Sequence, residues 1–138
     1  MTPKGYHQRQ ARAARKQAAP PEDPLFERPA ADLCTKQRYI VEMERPQARI
    51  DQVLWYVKHH LVGFAIVFSL MEEDGEWREQ YSVDTSHGHF HEHKSGHRQH
   101  NDRHDFHPLR SQLDVQECYD SAYHMVHNRY LHWASGGK

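Results

Sequence analysis

The chain has 138 residues and a formal net charge of −1, a length typical of one domain with extensions. Hydrophobic residues make up 37%, and three Trp, seven Tyr and five Phe supply the bulk for a modest core. Two distant cysteines, Cys34 and Cys118, exclude a disulfide framework and a four-thiolate zinc site. No signal-peptide pattern opens the chain, and no apolar run approaches the roughly 18 residues that span a bilayer. We therefore expect a cytoplasmic protein without a membrane partner.

Residues 1–31 form the first predicted segment. They hold five of the seven prolines, and five basic residues without an acid before position 22, so the rest of the chain carries −6. Such a segment buries too little apolar surface to offset the entropy of ordering. We predict a disordered basic tail over residues 1–31, one domain over residues 32–134 and a flexible end over residues 135–138. The tail is either solvated or a contact for acidic partners such as nucleic acid.

Residues 38–44 alternate apolar and polar side chains and predict a short strand ended by Pro46. Over residues 47–60, the spacing of Ile50, Val53, Leu54 and Val57 favours a helix that begins after Pro46. A strand is the competing interpretation, because residues 53–57 are rich in strand-forming side chains.

Asp74 and Gly75 predict a β-hairpin with a two-residue type I′ turn. In the matching register, large residues of both strands share one face. The predicted facing pairs are Phe64 with Thr85, Ile66 with Val83, Phe68 with Tyr81, and Leu70 with Glu79.

Residues 115–133 carry an apolar stripe at helical spacing, with Asp114 as the predicted N-cap. Neither this helix nor the hairpin can bury its apolar surface alone, so we expect them to pack together. The sequence thus predicts an α+β fold: a small antiparallel sheet with a central DG-turn β-hairpin packed against a C-terminal helix.

Eight of the fourteen histidines lie in residues 87–107. If the second hairpin strand continues, the alternating residues His87, His89, His91 and His93 share one face, with neighbours about 6.8 Å apart. These odd-numbered histidines are predicted to lie on the same buried face as Tyr81 and Val83. Asp84 is even-numbered, so it is predicted to point to the opposite face unless a bulge intervenes at Gly88. Histidines 97–107 have no such geometric constraint. On the helix, a second polar strip could meet the strand histidines; it consists of Glu117, Asp120, His124 and His127.

Two kinds of chemistry suit these side chains. Imidazole nitrogens and carboxylate oxygens bind divalent transition metals, and we expect zinc at a site drawn from six histidines. Without a metal, one neutral and one protonated histidine can act as general base and acid in phosphodiester cleavage. The tract could instead be a solvated, compositionally biased loop or a pH-responsive contact surface. The candidate metal ligands are His87, His89, His91, His93, His124 and His127.

The segment Asp84-Thr-Ser-His87-Gly88-His-Phe-His91 resembles a D-T-x-H-G-x-x-H signature. That signature belongs to a family of small uncharacterised bacterial and phage proteins, which place it between a strand-DG-strand hairpin and a C-terminal helix. A weaker similarity runs to TumE-like toxins of toxin–antitoxin pairs. The resemblance implies that Asp84, His87 and His91 are the catalytic candidates, with Thr85 and Gly88 as further motif positions. Extra histidines at positions 89 and 93 depart from the signature.

These observations support two hypotheses. The first is a metal-binding or histidine-catalytic domain, such as a ribonuclease-like toxin, that acts on RNA or another phosphodiester and pairs with an antitoxin. The second is a non-enzymatic interaction module of a phage or mobile element that binds a host protein or nucleic acid. The one-faced histidine series favours the first, and the basic tail on an acidic body favours the second.

Overall fold

The computed structural model describes residues 24–95 and 103–136, which form one antiparallel sheet followed by a helix. The six strands lie side by side in chain order. This arrangement confirms the predicted α+β class. The elements are β1 (Thr35–Glu42), β2 (Ala48–Val57), β3 (His60–Met71), β4 (Trp77–Asp84), β5 (His89–His93), β6 (Arg103–Pro108) and helix α1 (Gln112–Ala134).

Helix α1 packs on one face of the sheet, mainly against β3 and β4. Successive side chains of a strand point to opposite faces, and the β3 residues Phe64, Ile66 and Phe68 alternate on the face that meets the helix. Aromatic rings join the two layers: Phe64 meets Tyr119 edge-on at 5.6 Å between centroids, and Phe68 meets Tyr130 at 6.0 Å. The most deeply buried residues of this core include Ile50, Phe64, Ile66, Phe68, Val83, Val115, Ala122 and Val126.

The C-terminal helix was correctly predicted, but its start was not. Ser111 is the N-cap, and its hydroxyl accepts a hydrogen bond from the Asp114 amide at 3.3 Å. Asp114 lies inside the first turn, where its carboxylate accepts from the Arg110 amide at 2.8 Å. Ser111 thus satisfies an amide that the start of the helix leaves without a partner, and Asp114 fixes the segment that enters the helix.

The helix predicted over residues 47–60 is wrong, because this segment is strand β2. Its β-branched and aromatic residues pair on both sides, with β1 and with β3, and tertiary pairing overrides a short helical pattern. Lys58 and His59 both have positive φ, at 50° and 74°, and join β2 directly to β3. This is the backbone pattern of a type I′ turn, found at a place without glycine.

The hairpin of β3 and β4 has its predicted central register, with Phe68 opposite Tyr81 and Ile66 opposite Val83. Near the turn the prediction is wrong, since Leu70 faces Arg78 and not Glu79. The loop holds three residues, 73–75, and only Gly75 has positive φ, at 84°. A three-residue loop shifts the register by one, and a bulge between Phe68 and Ser69 shifts it back.

The predicted tail falls mostly on residues 1–23, which lie outside the described residues, as do residues 137–138. Its last part contacts the domain: the Phe26 amide donates to the Leu109 carbonyl at 2.7 Å, and Arg28 lies 4.1 Å above the Trp55 ring. Strand β6 was not predicted. Within the described ranges, no helix combines the length and apolar character needed to cross a membrane.

Replacing Val126 with Ala tests the packing of the helix on the sheet. The side chain is fully buried, so the loss of two methyl groups should lower the free energy of unfolding by about 2 kcal/mol. Leu131→Ala is the matched control on the same helix, because Leu131 is 48% exposed and should change stability by under about 0.5 kcal/mol. Urea denaturation followed by circular dichroism measures both, and equal losses would contradict this packing.

Candidate functional site

A tight turn over residues 85–88 ends β4 and reverses the chain into β5. His87 and Gly88 have positive φ, at 60° and 76°, which turns the backbone sharply within two residues. The prediction that β4 continues through the histidines is therefore wrong. The bulge considered at Gly88 is instead a full reversal, and β5 returns antiparallel to β4.

The reversal fixes which residues face each other. Asp84 lies directly opposite His91, and Ser82 lies opposite His93, while Val83 faces Glu92. Val83 points into the helix-facing core, so Asp84, His91 and His93 share the other face of the sheet. His89, His91 and His93 do share one face, as predicted, but it is not the face of Tyr81 and Val83.

Asp84, His91 and His93 form a compact cluster. The Nε2 atom of His91 lies 2.8 Å from Asp84 Oδ1, and the Nε2 atom of His93 lies 3.7 Å from Asp84 Oδ2. One ligand atom from each residue falls within 4.8 Å of the other two. Asp84 and His91 are buried, with 5% and 1% of their surface exposed.

Backbone and hydroxyl groups hold two of these side chains in place. Asp84 Oδ1 accepts from the Ser86 amide at 3.0 Å and from the Ser86 hydroxyl at 2.8 Å, which is an Asx turn. The Nδ1 atom of His91 lies 3.0 Å from the His89 carbonyl oxygen, an acceptor, so Nδ1 carries the proton. The Nε2 atom is consequently the one aimed at Asp84.

This hydrogen bonding allows two arrangements of the cluster. Without a metal ion, one proton lies between His91 Nε2 and Asp84 Oδ1, which are 2.8 Å apart, and joins them in a hydrogen bond. With a metal ion, the neutral Nε2 lone pair and the carboxylate can both bind it. Tetrahedral zinc ligands lie about 3.3 Å apart, between the two distances found, so small side-chain movements would admit an ion.

A cavity of about 720 Å³ opens beside the cluster, with Asp84 in its wall. The turn supplies Thr85, Ser86 and His87, and the N-terminal segment supplies Arg28. The aliphatic part of Arg28 packs closely on Gly63, where an added Cβ would lie 2.8 Å from the Arg28 Cδ atom. The Arg28 guanidinium stacks on the Trp55 ring. The cavity thus combines the held Arg28 cation with two carboxylates, Asp84 at the cluster and Glu27.

The other predicted site residues lie apart from the cluster. His87 is exposed at the turn, and the His89 ring is half-buried beside the His87 carbonyl. His124 and His127 lie on α1, across the sheet, where His127 stacks on Tyr123 at 6.0 Å. The structure therefore does not bring the helix strip and the strand histidines together, and that predicted grouping is wrong.

A second buried carboxylate, Glu92, lies on the helix side of β5. It accepts a hydrogen bond from the Tyr81 hydroxyl at 2.5 Å, and His104 lies 3.2 Å from its other oxygen. Burial, and next the hydrogen bond to Glu92, raise the pKa of Tyr81 far above its ordinary value. Arg129 lies 4.2 Å above the Tyr81 ring. Alternation along β5 thus separates this network from the Asp84 cluster.

Sequence reasoning missed two parts of the site. Ser86 was not named, although an Asp at the end of a strand commonly accepts from the amide two residues on, which here is that of Ser86. The His89 main chain was also missed, because no sequence pattern reports a carbonyl contact to a ring two residues away.

No family model, curated protein or solved structure matches this chain. The resemblance to the D-T-x-H-G-x-x-H signature stays a prediction. Among the described residues, the fold and site define an α+β protein with a buried Asp/His cluster that could hold a metal ion.

Gly88→Ala should disturb the turn that forms the site. Alanine at position 88 would keep an unfavourable positive φ, and its Cβ would lie 2.9 Å from the Leu25 Cβ. The free energy of unfolding should therefore fall by about 2 kcal/mol. Gly136→Ala is the control, because it has φ of 91° and no neighbour within 4 Å, and should cost about 1 kcal/mol. Leu25→Gly added to Gly88→Ala removes the Leu25 Cβ and should recover the difference in thermal denaturation. An equal cost in both glycine variants would contradict the contact.

Proposed function

We propose that this protein binds one divalent transition metal ion through Asp84, His91 and His93. The observation that carries the proposal is the convergence of one carboxylate and two imidazoles within 4.8 Å at a buried place. Surface carboxylates that bind no metal usually lack oriented neighbours. In this cluster the Ser86 hydroxyl orients Asp84 and the His89 carbonyl orients His91, as outer groups orient the ligands in metal sites.

Zinc is the ion that we propose. The donors are nitrogen and oxygen, without a thiolate, and zinc accepts two imidazoles and a carboxylate while leaving a fourth position for water or substrate. The same three donors also suit iron(II), as in facial triads of two histidines and one carboxylate. Zinc in an open site supplies a Lewis acid and an activated water.

Metal binding is tested with the apo protein and zinc in competition with a chromophoric chelator. Wild type should bind one tight equivalent, and that equivalent should be lost in Asp84→Asn, His91→Ala and His93→Ala. Ser86→Ala should weaken it by about 10-fold, since residues that orient a ligand typically contribute 10–100-fold.

The chain has fourteen histidines, so controls must separate this ion from weak surface binding. His89→Ala keeps the carbonyl that orients His91, and His124→Ala lies on the far side of the sheet; both should keep the tight equivalent. If the three ligand variants bind zinc with wild-type stoichiometry and affinity, the cluster is a structural ion pair and the proposal is wrong.

The substrate class that we propose is a phosphodiester, with RNA as the first candidate. Its support is the cavity that both Asp84 and Arg28 line. The Arg28 guanidinium can bind an anionic group, and Asp84 is one of the proposed metal ligands. Arginine binds phosphate oxygens through two parallel hydrogen bonds. Arg28 is already held by its contacts with Gly63 and the Trp55 ring, so it loses less conformational entropy when a phosphate binds. His87 lines the same cavity and is placed to exchange protons there.

Cleavage of a fluorogenic RNA oligonucleotide by the zinc-loaded protein tests this substrate class. Asp84→Asn and His91→Ala should abolish cleavage, and Arg28→Ala should raise KM by about 10-fold with a smaller effect on kcat. Arg78→Ala is the control, because Arg78 pairs with Glu72 and Asp74 at the far turn of the hairpin. If the zinc-loaded protein cleaves neither RNA nor an activated phosphodiester, the substrate proposal fails while the metal proposal stands on its binding data.

A further inference from the structure

Strand β1 forms one edge of the sheet and is exposed along its whole length. All eight of its residues are exposed, and the helix packs mainly on β3 and β4. Three consecutive apolar residues, Tyr39, Ile40 and Val41, are 48%, 46% and 45% exposed. An exposed, regular edge strand with apolar side chains is a template for pairing with another strand.

The backbone groups that face outward can be assigned from the pairing with β2. The Met43 amide donates to the Ala48 carbonyl at 3.0 Å, and the register continues without a bulge through β1. Hydrogen-bonded residues alternate in an antiparallel pair, so Tyr39 and Val41 bond to β2. The amides and carbonyls of the intervening residues point to the open edge; these are Lys36, Arg38, Ile40 and Glu42.

We propose that β1 pairs with β1 of a second copy of this chain, antiparallel and centred on Tyr39. In this register Lys36 faces Glu42 of the other copy, and Arg38 faces Ile40. Both facing pairs join residues with outward backbone groups, so all four outward amides and all four outward carbonyls in each copy gain partners.

The side chains fit this self-pairing. Two Lys36–Glu42 ion pairs form across the twofold axis, and each Tyr39 meets its own copy where strands come closest. Arg38 is already paired with Asp51 of its own chain at 2.5 Å, so its charge is neutralised at the interface. A register centred on Arg38 would instead place two guanidinium groups face to face. Charge thus disfavours the register centred on Arg38, and the register centred on Tyr39 gains two ion pairs.

The dimer would join the two six-stranded sheets into one continuous sheet. Strands β2 and β3 separate β1 from the Asp84 cluster on β4 and β5. The pairing is therefore independent of the proposed metal site, and its failure would leave that proposal untouched.

Charge reversal of the full-length chain tests the pairing in solution by light scattering and native mass spectrometry. Lys36→Glu and Glu42→Lys each place like charges opposite one another twice, so each should weaken the wild-type dimer by roughly 10–100-fold. Mixed together, these two variants regain both ion pairs and should form a heterodimer. The double variant Lys36→Glu/Glu42→Lys should dimerise like wild type. Circular dichroism confirms that each variant is folded.

A disulfide tests the register. In a Cys34→Ser background, Tyr39→Cys should cross-link to itself, since facing residues in a non-hydrogen-bonded pair have Cα atoms about 4.5 Å apart. Cys118 can remain, because burial raises the pKa of its thiol to about 11 and keeps it unreactive. Val41→Cys is the control on the same face; its copies would be about 13 Å apart and should not cross-link.

Three results would overturn the proposal. The first is a wild-type chain that stays monomeric at high protein concentration. The second is a pair of charge variants that fail to form a heterodimer on mixing. The third is a β1 edge that gains hydrogen-exchange protection only from a different protein, which would assign the edge to a foreign strand.

Discussion

The antiparallel pairing of β4 with β5 is the constraint on which the candidate site depends. The chain reverses over residues 85–88, and after two further residues of β5 it brings His91 directly opposite Asp84. Positive φ at His87 and Gly88 makes this reversal possible, and the Ser86 bonds to Asp84 close it. A longer or looser turn would change the register, and a shift of one residue would send the imidazoles to the opposite face.

The sheet divides the polar chemistry into two layers. Along β5, Glu92 points to the helix and bonds Tyr81, whereas His91 and His93 point to the other face beside Asp84. Because these residues alternate on one strand, the sheet itself keeps the two buried carboxylates apart. The helix covers β3 and β4 but leaves β1 exposed, so the same sheet carries a core, a polar cluster and an open edge.

Much of the fold was predictable from local signals. The central pairs of the β3–β4 hairpin and the presence of α1 follow from hydrophobic spacing that only one arrangement satisfies. Segment 47–60 was not predictable in this way, because four apolar residues match helical spacing while residues 53–57 are rich in strand-forming side chains. Pairing with β1 and β3 decided it, and the spacing of apolar residues within one segment does not report pairing with its neighbours.

The sequence by itself determined the parity of the histidines: His89, His91 and His93 share a face because side chains alternate along any strand. The resemblance to the D-T-x-H-G-x-x-H signature, which stays a prediction, grouped Asp84 with Thr85, His87, Gly88 and His91. Only the tertiary structure decided which face they occupy, that Asp84 joins them, and that His87, His124 and His127 do not. The direction of the chain after Asp84 depends on the backbone angles of two turn residues, His87 and Gly88. The alternation of the histidines is the same whether β4 continues or the chain turns back as β5, so it does not distinguish the two.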